Sequence, residues 1–197
     1  MKRRTLRESL LEVREANEEA LSEKYLVAHL FEDARFFLER AKEYERVNIS
    51  ISRRYIRTAL IAAFAGLEAF INTLCEIGAA QPADDWGLPE QALLEEKRVE
   101  LAEEGYFTIR GKRIYSLEDK LKFFYWSLHG TPISNDKATW KAFLEAKNFR
   151  NKLIHPSQGK ISYSGQTVNM AKTCVKAVFN VAAMIGWSKE QIDAEIE

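Results

Sequence analysis

Along most of this chain apolar residues recur at intervals of three and four, the spacing that gathers them on one side of an α-helix. Over residues 24–46 that side carries Leu26, Leu30, Phe37, Ala41 and Tyr44, and a more charged helix is expected before it, over 6–21. Asn48 and Ser50 offer N-cap chemistry for a helix over 51–77, whose middle (ALIAAFAGLEAFINTL) is nearly all apolar. Such a helix belongs at the centre of a bundle, covered on every side.

A linker with Pro82, Asp84, Asp85 and Gly87 follows, then an acidic segment that reads as a helix over 90–103. At YFTIRGKRIYS, residues 106–116, the period changes: aromatic and β-branched residues flank Gly111, which predicts a short hairpin. Ser116 with Asp119 three places on resembles a capping box for a helix ending near His129 and Gly130. Asp136 caps another helix that ends at His155, because Pro156 disfavours helical geometry in the residue before it. After a polar loop, Val168, Ala171, Val175, Val178, Ala182 and Ile185 form the seam of a last long helix, facing the core or a partner. The expected fold is all-α: an antiparallel bundle of about five to seven helices with a small β-hairpin insertion. Residues 1–197 read as one domain, with 1–22 a helical extension and 78–116 an inserted acidic helix and hairpin.

Composition sharpens this picture. Only 9 Gly and 4 Pro favour long elements, and 46% hydrophobic residues supply a packed core. The formal charge of +0 excludes a global basic field for capturing nucleic acid, but the balance is uneven. Residues 84–104 hold eight acidic side chains against two basic ones, and residues 110–160 eleven basic against four acidic. Cys75 and Cys174 lie far apart in apolar helical contexts, as small buried hydrophobes do. Lys2, Arg3 and Arg4 are followed by further charges rather than an apolar stretch, and the longest apolar run, Ala59 to Leu67, is too short to span a bilayer. A cytoplasmic protein without a membrane anchor is expected. No metal-ligand cluster, phosphate-cradling glycine motif or Ser/His/Asp arrangement is recognisable, so neither metal nor cofactor is expected.

The helix ATWKAFLEAKNFRNKLIH carries the chemistry. On a wheel, Lys141, Glu145, Asn148 and Lys152 share one narrow side, the expected solvent face. Phe143, Ile154, Trp140 and Leu144 form one apolar face, and Phe149, Ala142, Leu153 and Ala146 another. So much apolar surface asks to be covered twice, by the chain's own core and by a second subunit. Lys147, Arg150 and Asn151 fall inside this apolar arc, with His155 at its margin. A guanidinium there is costly unless an acceptor satisfies its five donors. Glu68 offers a purely structural partner: with Arg57 and Asn72 it lies within roughly 60° on the central helix.

The segment FRNKLIHP, 149–156, and more loosely AGLEAFIN, 65–72, resemble the HEPN superfamily, whose hallmark is an Arg, a following polar residue and a His four to six residues on. The resemblance implies a helical bundle and, in its catalytic members, a metal-independent endoribonuclease that dimerises so that two such motifs share one cleft. His155 would then act as general acid or base, Arg150 would stabilise charge on the scissile phosphate, and Asn151 would position groups nearby. Glu68, Asn72 and Lys147 would support the site, and Lys152 and Lys160 would meet the RNA. The products would be a 2′,3′-cyclic phosphate and a 5′-OH. Such a nuclease would serve as a toxin, phage-defence or stress-response effector with a neutralising protein partner. The alternative within the same resemblance is a non-catalytic module that binds RNA or protein. Tyr125, Trp126 and Trp140 offer rings for stacking bases, although aromatic residues at helical spacing are usually core, and His29 and His129 read as structural or surface residues.

Overall fold

The computed structural model describes residues 26–80, 86–154 and 167–187. Within them lie six α-helices and one antiparallel hairpin: α1 (Leu26–Tyr44), α2 (Ile49–Ala79), α3 (Leu88–Leu94), β1 (Lys97–Leu101), β2 (Phe107–Lys112), α4 (Leu117–His129), α5 (Lys137–Ile154) and α6 (Val168–Met184). The helical extension expected over 6–21 lies outside the described residues, as do His155 and Lys160. The chain divides into two compact units, one holding 22–69 and 134–197, the other 1–21 and 70–133. The helix α2 is continuous through the division at 69/70.

In the first unit α1, the N-terminal two thirds of α2, α5 and α6 supply the core. Asn48 starts α2: its Oδ1 accepts the backbone N–H groups of Ser50 and Ile51, both at 3.2 Å, so the helix begins two residues before the expected 51. Ile56, Leu60, Phe64 and Leu67 follow at spacings of four, four and three, and all are fully buried. Ser52, buried with them, donates its hydroxyl to the Ala41 carbonyl of α1 at 2.8 Å, so a polar side chain in the core is satisfied. Gly66 lets α1 come close, since a Cβ there would stand 2.7 Å from the Phe31 ring. That ring in turn meets Phe179 of α6 edge-on at 4.8 Å. The expected α6 seam is the core face itself: Val168, Ala171, Val175, Val178, Ala182 and Ile185 are all buried. Thr167 caps the helix, accepting the Met170 N–H.

The second unit corrects two expectations. The acidic helix over 90–103 is only α3, Leu88–Leu94, and Lys97–Leu101 is instead the strand β1. The hairpin does not turn at Gly111. It turns at 102–106, where Gly105 takes φ 85° and Ala102 and Tyr106 are joined by a 2.8 Å hydrogen bond, while Gly111 sits within β2. Arg98 faces Arg110, Val99 faces Ile109 and Leu101 faces Phe107, so apolar pairs lie opposite each other across the ladder. Glu96, between helix and strand, has φ 50°, a left-handed conformation that costs a residue with a Cβ about 1–2 kcal/mol. The capping box stands as expected: Ser116 Oγ accepts the Asp119 N–H at 3.1 Å, and α4 ends at Gly130.

Among the described residues α2 alone is long and apolar enough to cross a membrane. Its most apolar 18-residue window has mean hydropathy 1.6, but 61% of that window is buried within the chain, as befits a core helix.

Candidate functional site

On α5 the solvent face is where the wheel placed it: Lys141, Glu145, Asn148 and Lys152 are exposed. The two apolar faces are not equivalent to two buried ones. Phe143, Ala146 and Leu153 are buried, and Arg150 shares their stripe, at spacings of three, four and three. Trp140, Ala142, Leu144, Phe149 and Ile154 stay half-buried. The arginine is therefore part of the inward side of the helix, and the flanks beside it are open.

Arg150 lies against a column of rings. Trp140 stacks on Phe143 at 5.4 Å, Phe143 meets Phe64 at 5.9 Å, and the guanidinium carbon of Arg150 stands 5.7 Å from the Phe64 centroid. The arrangement is a cation–π contact from α5 to α2, contributing about 0.5–2 kcal/mol depending on how far water is excluded. Arg150 Nη1 donates to Asn151 Oδ1 at 3.1 Å, so the two neighbouring motif residues hold each other. Arg150 Nε is buried and, among the described residues, meets no acceptor. An orphaned buried donor costs about 1–3 kcal/mol, which equals or exceeds what the ring contact returns. Held this way the guanidinium is positioned but not satisfied, and its remaining donors suit an anionic oxygen.

Glu68 is exposed and, among the described residues, has no cationic partner, so the Arg150–Glu68 pair that the wheel offered does not form there. Asn72 accepts instead from Lys120 Nζ at 3.0 Å, and Lys120 also pairs with Glu96 at 2.8 Å. Lys120 is 6% exposed, so Asn72 and Glu96 satisfy a buried ammonium. Lys147 is half-buried on α5 and Lys152 is exposed in its last turn, while His155 and Lys160 belong to the residues not described. Phe64, the ring that carries Arg150, was visible in sequence only as one apolar position among many on α2.

The other singled-out groups fall into structural roles. His29 is exposed and lies 3.5 Å from Glu32 on its own helix, and His129 stacks beside Tyr125 at 4.3 Å in the last turn of α4. Tyr125 is buried, whereas Trp126 is 54% exposed. Cys75 and Cys174 are buried free thiols, and desolvation pushes both up to about 11. Among the described residues no three His, Cys, Asp or Glu side chains are placed to share a metal ion. Comparison with protein-family models, with curated proteins and with solved structures finds no match to this chain.

Proposed function

We propose that this chain is a HEPN-like, metal-independent endoribonuclease acting as a homodimer, with Arg150, Asn151 and His155 as its cleavage residues. The observation that carries the reading is the half-satisfied guanidinium of Arg150, held by Phe64 and Asn151 with a buried Nε that meets no acceptor among the described residues. In the reaction the RNA 2′-oxygen attacks phosphorus and its proton passes to an imidazole. The bond from phosphorus to the 5′-oxygen breaks, and a second imidazole protonates the leaving oxygen. A dimer supplies His155 twice, once as base and once as acid, and Arg150 neutralises charge on the equatorial oxygens. The half-buried Trp140, Leu144, Phe149 and Ile154 beside the motif are the surface a second copy would cover. By analogy with the same superfamily, a neutralising protein partner and a role in toxin, defence or stress systems belong to this proposal.

The test is cleavage of total RNA in EDTA by wild type, His155→Ala and Arg150→Met, each with a melting curve and a measured oligomeric state. Wild type should leave 2′,3′-cyclic phosphate and 5′-OH ends, and both equally folded variants should not. A folded, dimeric wild type that leaves RNA intact overturns catalysis.

A second reading, a non-catalytic protein-binding module, is favoured by the hairpin. Leu101, Tyr106, Phe107 and Ile114 are 63, 55, 62 and 77% exposed there, more apolar surface than a hairpin facing only water carries. On that reading Leu101→Ser with Phe107→Ser would abolish partner capture and leave RNA untouched.

A further inference from the structure

The hairpin β1–β2 lies within one compact unit, and its ladder has two strands only. Among the described residues the outer edge of β2 therefore meets no third strand. An open edge presents unpaired N–H and C=O groups, a template on which a further strand can pair. Around this edge Leu101, Tyr106, Phe107 and Ile114 are exposed, and Leu101 stands opposite Phe107 next to the turn.

Charge is sorted along the hairpin. Glu103 and Glu104 stand exposed in the turn, and Arg110 and Lys112 stand exposed toward the far end of β2. Neighbouring charges close in pairs, Lys97 with Glu95 and Arg98 with Glu100 at 2.9 Å. Among the described residues Glu103, Glu104, Arg110 and Lys112 have no such partner. Each chain thus carries two open carboxylates at the hairpin tip and two open cations on its shank, with Phe107 between them. Glu104 precedes Phe107 by three residues and Arg110 follows it by three. A two-fold axis at Phe107 exchanges the two ends. With β2 antiparallel to β2 of a second copy, the tip carboxylates of each chain lie beside the shank cations of the other, and two Phe107 rings meet at the centre. Such a contact uses one patch twice and closes at two copies. It is apolar at the centre and charged at the rim, as interfaces are. Pairing in parallel register, or antiparallel about Arg110, would set cation against cation, so the charges also select the register.

We propose that β2 pairs with β2 of a second copy of this chain about an axis at Phe107, making a four-stranded sheet held by Glu103 and Glu104 against Arg110 and Lys112. A different element makes this contact from the α5 flank of the proposed nuclease, and it does not depend on that reading.

Charge reversal on full-length chains tests it. One variant carries Glu103→Lys with Glu104→Lys and the other Arg110→Glu with Lys112→Glu, so each has one sign of charge at tip and shank. All four positions are exposed, and both variants should melt close to wild type. Each variant is immobilised and titrated with itself and with the other. The mixed pair regains both sets of opposite charges and should bind at least about tenfold more tightly than either like pair. Salt at about 1 M, where screening acts within about 3 Å, should shrink this preference. Phe107→Ser in both variants should weaken the mixed pair by about tenfold. Association through α5 would contribute equally to like and mixed pairs, so failure of the ribonuclease reading leaves the difference unchanged. Equal dissociation constants for like and mixed pairs overturn the proposal and leave the hairpin to a partner of another kind. So does a preference that Phe107→Ser leaves intact.

Discussion

The guanidinium of Arg150 rests on the ring of Phe64, 5.7 Å from its centroid, with its Nε buried and without an acceptor among the described residues. The contact joins the motif-bearing helix α5 to α2, the longest helix among the described residues. It fixes where the charge stands while leaving donors open. A residue selected for stability alone is expected to close such a balance, and this one does not.

Replacement of Arg150 by Met separates stability from function. The thioether chain fills similar volume and removes the orphaned donor, so the unfolding free energy should stay within about 1 kcal/mol of wild type or rise. RNA cleavage should vanish. Denaturant unfolding beside an RNA assay checks both, and a loss well beyond that margin would make Arg150 a structural residue.

The ring contact itself is measurable. In a double-mutant cycle with Arg150→Met and Phe64→Leu, the coupling should be about 0.5–2 kcal/mol. Simple additivity of the two losses would show that the ring and the guanidinium do not interact in solution.

Lys120 and Glu96 form a second testable pair. The strain of φ 50° at Glu96 is offset by its charged hydrogen bond to buried Lys120 at 2.8 Å. Glu96→Gly exchanges about 1–2 kcal/mol of relieved strain for a charged hydrogen bond of about 1.5–3, so in wild type the two nearly cancel. Once Lys120→Met has removed the bond, Glu96→Gly should stabilise by about 1 kcal/mol. Equal effects of Glu96→Gly in both backgrounds, measured by urea unfolding, would refute the coupling.

The buried cysteines predict a pH dependence. Desolvation raises both thiols from 9.0 to about 11, so the native state holds these protons more tightly than the unfolded chain. Their contribution is fully present below pH 9 and is lost as pH rises toward about 11. Thermal melts across that window should fall less steeply for Cys75→Ala with Cys174→Ala than for wild type. Native protein at pH 8 should also react slowly with a thiol reagent and quickly once unfolded.

Local rules and helical periodicity determined most of the described helices by themselves. Asn48, Ser116 and Asp136 start helices because their side-chain oxygens accept the first free N–H groups, a relation spanning two or three residues. The α6 seam and the solvent face of α5 followed from periodicity, since the core side of a helix is written in its own spacing. Arg150 and Asn151 were legible for the same reason, as polar residues on an apolar arc.

Tertiary structure decided what distant segments do to one another. Residues 97–101 have a helical composition on their own and become a strand because 107–112 pairs with them. Asn72 accepts from Lys120, 48 positions away, a pairing that no local pattern writes. Phe64 and not Glu68 meets Arg150, because the angle at which two helices pack sets which position of α2 faces α5.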